Sequence, residues 1–296
     1  MLHQHTPHLD TNRSVNLELD GQQLDQLDAA MLAGSGLRKI SLYNNQLKVF
    51  PPEIVNHSQL QVLNISVNQL TAVPDEIVQL RQLEMLDLGH NQLSVIPDEI
   101  GQLDKLKYLY LSDNQLSDLP VSLSGLTALR YLNVTDNRLT TLPDSLCQLM
   151  SLQELRLYHN QIAHLPESIH RLSLLRELHL MHNQLTSLPA SFGELGTLNI
   201  LDVSNNVITH LPDTFCQLSQ LCELNLRFNQ LTHLPENIGQ LSKLQTLDLR
   251  ANRLTTLPAS LAEMKSLRRL DLRWNDFTRY PAVLDLLIER GCMVHA

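Results

Sequence analysis

Aromatic residues are scarce in this chain: 5 Phe, 6 Tyr and 1 Trp make up 4% of its 296 residues. Where those few fall is therefore informative. Basic residues are also short, 22 against 31 acidic, for a formal charge of −9. That balance, with no basic tract anywhere, argues against a general nucleic-acid or anionic-membrane surface. No apolar run is long enough for a membrane span, and Met1 to Arg13 is polar, without the apolar centre of a secretory leader. Catalytic signatures are missing as well: there is no phosphate-cradling glycine loop, no nucleophile elbow and no paired histidine ligands on a helix. The expectation is a soluble, cytoplasmic chain that is not an enzyme and needs no cofactor or metal.

What is present is one 23-residue phrase said repeatedly. It begins at Ser14 and recurs without insertion at Leu37, Leu60, Leu83, Leu106, Leu129, Leu152, Leu175, Leu198, Leu221, Leu244 and Leu267, which makes twelve units. Apolar residues hold repeat positions 1, 4, 6, 11, 14, 18 and 21, as in Leu83, Leu86, Leu88, Leu93, Ile96, Ile100 and Leu103. Positions 4 and 6 alternate like a short strand with one buried face, while 18 and 21 suit one turn of α or 3₁₀ helix on the opposite side. A single loop of this kind cannot bury enough to offset the ordering of its own backbone. Stacking must supply the rest, with each unit covering the next and the strands joining into one parallel sheet.

Position 9 is Asn in eleven units, from Asn45 to Asn275, with Gln22 in the first. Turned inward at the bend after the strand, such an amide can pair backbone groups that the bend leaves without partners. Position 15 is Pro in eleven units, from Pro51 to Pro281, and is expected at the first position of a helical turn, where a missing N–H costs nothing. Asp75, Asp98, Asp144, Glu167, Asp213 and Glu236 follow it and favour a helix N-terminus.

The resulting pattern, LxxLxLxxNxLxxLPxxIxxLxx over residues 14 to 289, resembles the leucine-rich repeat in its 23-residue LPxxI subtype, found in Scribble- and Erbin-like scaffolds, plant intracellular Ras-group proteins and bacterial repeat-only proteins. The resemblance implies an α/β solenoid: a curved horseshoe with a parallel sheet on the concave face and short helical segments on the convex face. It also implies binding to partners, with no chemistry of its own.

Residues 1–13, with His3, His5 and His8, carry no repeat and are expected to be a flexible N-terminal segment. Residues 14–296 then form a single solenoid. Unit 14–36 is degenerate, with Ser14, Gln22, Asp28 and Gly34-Ser35-Gly36 at deviant places, as an N-terminal cap would be. Residues 277–296 read as the C-terminal cap: Ala282 to Arg290 as a longer helix with Val283, Leu284, Leu287 and Ile288 on one side, Gly291 as its stop, and Cys292-Met293-Val294 over the last open apolar end. Cys147 and Cys216 share position 19 three units apart, roughly 15 Å at about 4.8 Å per strand, too far to bridge. Free thiols, Cys222 and Cys292 included, suit a reducing compartment.

Positions 3, 5, 7 and 8 should line the concave face, and there the repeats stop agreeing. The middle carries Tyr108, Tyr110, Tyr131, Arg156, Tyr158, His159, His179, Met181 and His182; the C-terminal part carries Arg227, Phe228, Arg250, Arg269, Arg273 and Trp274. Five of the six tyrosines and the sole tryptophan lie on this face. Aromatic rings, Met and Arg dominate interface energetics, so these residues are expected to bind a protein or peptide partner. Asp248 and Asp271 beside the position-7 arginines suggest a surface ion-pair ladder of small value. His159, His179 and His182 could approach one another, but no fourth ligand converges with them to complete a structural zinc set. The leading expectation is a monomeric interaction scaffold, with homodimerisation through the concave face as a point to check. The alternative is a substrate-targeting module of a bacterial effector or ligase system; irregular concave residues count against an idealised scaffold without a ligand.

Overall fold

The computed structural model describes residues 15–32 and 36–296. The segment 1–13, Ser14 and the Gly34-Ser35 pair lie outside the described residues. Among the described residues a 13-stranded parallel sheet runs in strict chain order, from Asn16–Glu18 to Met293–His295. Each strand sets a repeat position beside the same position of the next unit, Leu86 against Leu109 and Asp87 against Tyr110. Short 3₁₀ segments such as Asp98–Gln102 return the chain along the other side. Inside, Leu83, Leu86, Leu88, Leu93, Ile100 and Leu103 are wholly buried, and one apolar core runs from Leu19 to Cys292.

The asparagine ladder holds the bends together. In unit after unit the position-9 amide donates to the position-6 carbonyls of its own and the preceding unit, while its oxygen accepts a position-11 N–H. Asn91, for instance, donates to Leu88 at 3.0 Å and Ile65 at 3.1 Å and accepts from Leu70 at 2.9 Å. These are buried groups that no strand or helix pairs, so the amide supplies what regular structure leaves out.

The bend also demands a left-handed residue. Position 8 has φ between +50 and +63 in all eleven later units, and Gly21 takes the place at +67 in the first. His, Asp and Asn tolerate this region; Val67, Phe228 and Trp274 sit there at a cost of about 1–2 kcal/mol each. On the convex side the turns pack closely: a Cβ added at Gly193 would lie 2.0 Å from the Thr214 carbonyl oxygen.

Proline stands one place earlier than its sequence suggested. Pro97 precedes the helical turn in extended conformation, φ −66 and ψ 149, and its carbonyl accepts the Ile100 N–H at 3.2 Å. Its ring fixes the approach to the turn; the saved N–H is not the point. In the first unit Asp28 replaces it and accepts the Ala30 N–H at 2.9 Å. At the other end the helix is Val283–Glu289, with Leu284 and Leu287 buried, while Ile288 is 49% exposed and so falls off the apolar side. Gly291, at φ +85, stops it. Met293–His295 then adds a thirteenth strand that the repeat did not announce, because Arg269 pairs with Met293 at a step of 24 residues instead of 23.

All four thiols are free, and only Cys222 is not fully buried. Burial, reinforced by Asp213, pushes the Cys216 thiol up to about 11, and burial likewise raises Cys147. At pH 8 a thiol reagent is therefore expected to modify Cys222 well before Cys147 or Cys216 in the native protein; equal rates, followed by peptide mapping, would contradict this packing.

Candidate protein-binding face

Strand alternation sends positions 4 and 6 inward and leaves 3, 5 and 7 on the open face of the sheet. All fifteen residues singled out above on sequence grounds as the binding set are half-buried or exposed on that face or its rim, and none enters the core. In the middle, the rings of Tyr110 and Tyr131 meet at 4.9 Å across neighbouring strands. The Arg156 guanidinium lies 5.6 Å from the Tyr131 ring and pairs with Glu154 at 2.5 Å. Tyr158 stands edge-on to His159 at 5.5 Å, and His159 to His182 at 4.5 Å. Tyr108 is 41% exposed beside them. Burial pushes the Tyr131 phenol up to about 12 and raises that of Tyr110 as well, so this stacked pair presents neutral phenols at ordinary pH.

The three histidines do not gather as a ligand set. His159 turns its Nδ1 to Asp136 at 2.8 Å, and His179 turns its Nε2 to Glu177 at 3.4 Å. The ligand-capable atoms that do converge, within 4.8 Å, belong to Glu154, Glu177 and His179. Arg156 already neutralises one of these carboxylates.

Position 5 carries a role that sequence reasoning overlooked. Where it is Asn or Asp, its side chain accepts the position-7 N–H: Asn64 with Ser66, Asp87 with Gly89, Asn133 with Thr135, Asp202 with Ser204, Asn225 with Arg227, Asp248 with Arg250 and Asp271 with Arg273, at 2.9 to 3.4 Å. These local turns stabilise the bend. Tyr110, Arg156 and His179 occupy the same position without making that bond, and among the described residues no acceptor faces the N–H of Ser112, Tyr158 or Met181. Three of the four middle units thus forgo a backbone hydrogen bond that seven other units have. Tyr110→Asn is accordingly expected to be about 1 kcal/mol more stable than Tyr110→Ala in urea unfolding, the worth of one such bond; equal midpoints would remove the turn from the account.

Further along, Phe228 and Trp274 stack at 6.5 Å although two units apart, because Ala251 between them is small. Arg250 pairs with Asp248 at 2.6 Å and approaches Asp271 at 3.6 Å; Arg273 pairs with Asp271 at 2.6 Å and lies 5.6 Å from the Trp274 ring. Burial opposes ionisation of Asp271, but its bonds to Arg273 outweigh it and hold the carboxyl below the usual range. The expected ladder is therefore real for these two arginines. Arg227 stands outside it, with no carboxylate partner among the described residues.

Comparison with known proteins places this geometry. A family model described as "Leucine rich repeat" matches residues 35–93, 86–139, 127–185, 173–231 and 219–277. Among solved structures, a leucine-rich repeat protein of Leptospira interrogans is similar at 29% identity and TM-score 0.59, with 95% of each chain covered. An internalin of Listeria monocytogenes is similar at 24% identity and TM-score 0.71, covering 95% of this chain and 86% of that one, a likeness of fold alone. The ectodomain of the Arabidopsis thaliana membrane receptor kinase GASSHO1/SCHENGEN3, solved in complex with CASPARIAN STRIP INTEGRITY FACTOR 2, is similar at 29% identity and TM-score 0.73 over 95% of this chain and 38% of that one. A search of curated proteins found no match.

Proposed function

Because this chain belongs to the leucine-rich repeat family, on the strength of repeats matched from residue 35 to residue 277, we propose that it is a non-enzymatic scaffold that binds a protein or peptide partner on its concave face. The observation that carries the reading is the substitution of Tyr110, Arg156 and His179 for the turn-forming Asn or Asp that seven other units place at position 5. A residue that the fold would replace, held on an open surface beside other aromatics, is best explained by what it touches outside the chain. The Arabidopsis receptor ectodomain, solved in complex with a factor, supports partner binding by this architecture.

The contact set comprises Tyr108, Tyr110, Tyr131, Arg156, Tyr158, His159, His179, Met181 and His182 in the middle, with Arg227, Phe228, Arg250, Arg273 and Trp274 toward the C-terminal end. The reading includes a reducing, cytoplasmic setting, supported by the free buried thiols of Cys147 and Cys216, and a monomer, for which light scattering should return one chain mass of 33.6 kDa. Affinity capture run in parallel with wild-type protein and the Tyr110→Ala/Tyr158→Ala double variant tests the binding face: a partner retained only by the wild type supports it, and equal retention counts against it.

A further inference from the structure

Resting on the concave-face reading, the C-terminal part of that face can be given a partner chemistry. Of the guanidiniums at repeat positions 5 and 7, Arg156, Arg250 and Arg273 each hold a carboxylate of their own chain, at 2.5, 2.6 and 2.6 Å. Arg227 does not. Its unit supplies Asn225 where the two following units supply Asp248 and Asp271, and the Asn225 amide is spent on Asp202 at 2.8 Å. The Nε of Arg227 is buried and has no hydrogen-bond partner, so no acceptor of its own chain holds that side of the guanidinium. Its guanidinium lies 6.0 Å from the Phe228 ring, which stacks on Trp274. Phe228 and Trp274 are 45% and 66% exposed, and both occupy the left-handed bend position that disfavours large side chains.

A planar donor without an acceptor, walled by two exposed rings, is complementary to a carboxylate carried next to an apolar side chain. Of the neighbouring acids, Asp248 and Asp271 are occupied by Arg250 and Arg273, and Asp202 accepts from the Ser204 N–H and the Asn225 amide. We propose that Arg227, Phe228 and Trp274 form a docking socket for an acidic protein segment. An Asp or Glu side chain of the partner accepts hydrogen bonds from the Arg227 guanidinium, and an adjoining apolar residue covers the two rings.

Selection of a phage-displayed library of short random peptides on the wild-type protein tests this. The expected pool is enriched in Asp or Glu next to apolar residues, and it binds the Arg227→Gln variant at least tenfold more weakly, with an affinity that falls as salt is raised. Urea unfolding of Arg227→Gln should match wild type, so that a loss of binding reports the socket and not the fold. A pool that loses affinity for Phe228→Ala/Trp274→Ala but shows neither acid enrichment nor sensitivity to Arg227→Gln overturns the acidic partner and leaves the concave face standing. A pool indifferent to the Phe228→Ala/Trp274→Ala and Tyr110→Ala/Tyr158→Ala variants alike overturns both. Failure to enrich any sequence counts against the socket, since an acidic segment would then not suffice.

Discussion

Asn160→Ala is expected to lower the unfolding free energy by about 3 kcal/mol, at the upper end of what one orphaned buried polar group costs. The Asn160 amide donates to the carbonyls of Val134 at 2.9 Å, Leu157 at 3.0 Å and Tyr158 at 3.4 Å, and its oxygen accepts the Leu139 N–H at 2.9 Å. Alanine removes every one of these bonds and offers nothing in return. Two units lose their shared fastening at once, and because the bend lies inside the stack, water cannot reach all the freed groups. At the C-terminal end the same change should cost about half as much: Asn275 is only half-buried and makes fewer bonds, to Leu249 at 2.9 Å and Leu272 at 2.8 Å, with Leu254 donating at 3.0 Å. Urea titrations read by circular dichroism would show the gradient as a shift in midpoint at constant slope. A loss below about 0.5 kcal/mol at Asn160 would mean the amide is ornamental and the bends are held by something else.

The second large effect is on binding. Tyr110 and Tyr158 bracket the central patch, the first stacked on Tyr131 at 4.9 Å and the second edge-on to His159 at 5.5 Å. Each is half-buried within the chain, so a partner would complete its burial. Replacing both by Ala should weaken that partner by at least tenfold, about 1.4 kcal/mol, as expected when anchoring aromatics are truncated. Stability should change far less than in Asn160→Ala, because neither ring contributes to the wholly buried core.

The fold was largely legible because every unit repeats the same apolar spacing, and a period of 23 with a strand-like and a helix-like half admits few solutions. The inward asparagines could be read for the same reason. Three features could not. The left-handed bend at position 8 is hidden because only the first unit carries glycine there, and Val67, Phe228 and Trp274 mask the Asn, Asp and His that tolerate it in other units. The strand Met293–His295 breaks the period by one residue and carries no leucine. The placement of proline ahead of the turn depends on which hydrogen bond its carbonyl accepts, a matter of backbone geometry that composition does not encode.

On the face itself, residue identity and exposure followed from the repeat grid, but pairing did not. Arg250 and Arg273 find carboxylates because their units carry Asp at position 5, and Arg227 is left single because its unit carries Asn. That difference was present in the sequence as Asn225 beside Asp248 and Asp271; the missing step was to recognise that position 5 folds back on position 7. The histidines at 159, 179 and 182 looked close on the grid, yet the strand sends His179 toward Glu177 and away from the other two.

The most direct measurement is the Kd of the partner recovered by affinity capture, determined side by side for wild-type protein and for Tyr110→Ala/Tyr158→Ala at matched folded fraction. A Kd raised at least tenfold in the variant is the result expected of a binding surface built from residues the bends do not need. An unchanged Kd would show that the open side of the sheet is bystander surface and that recognition resides elsewhere on the coil.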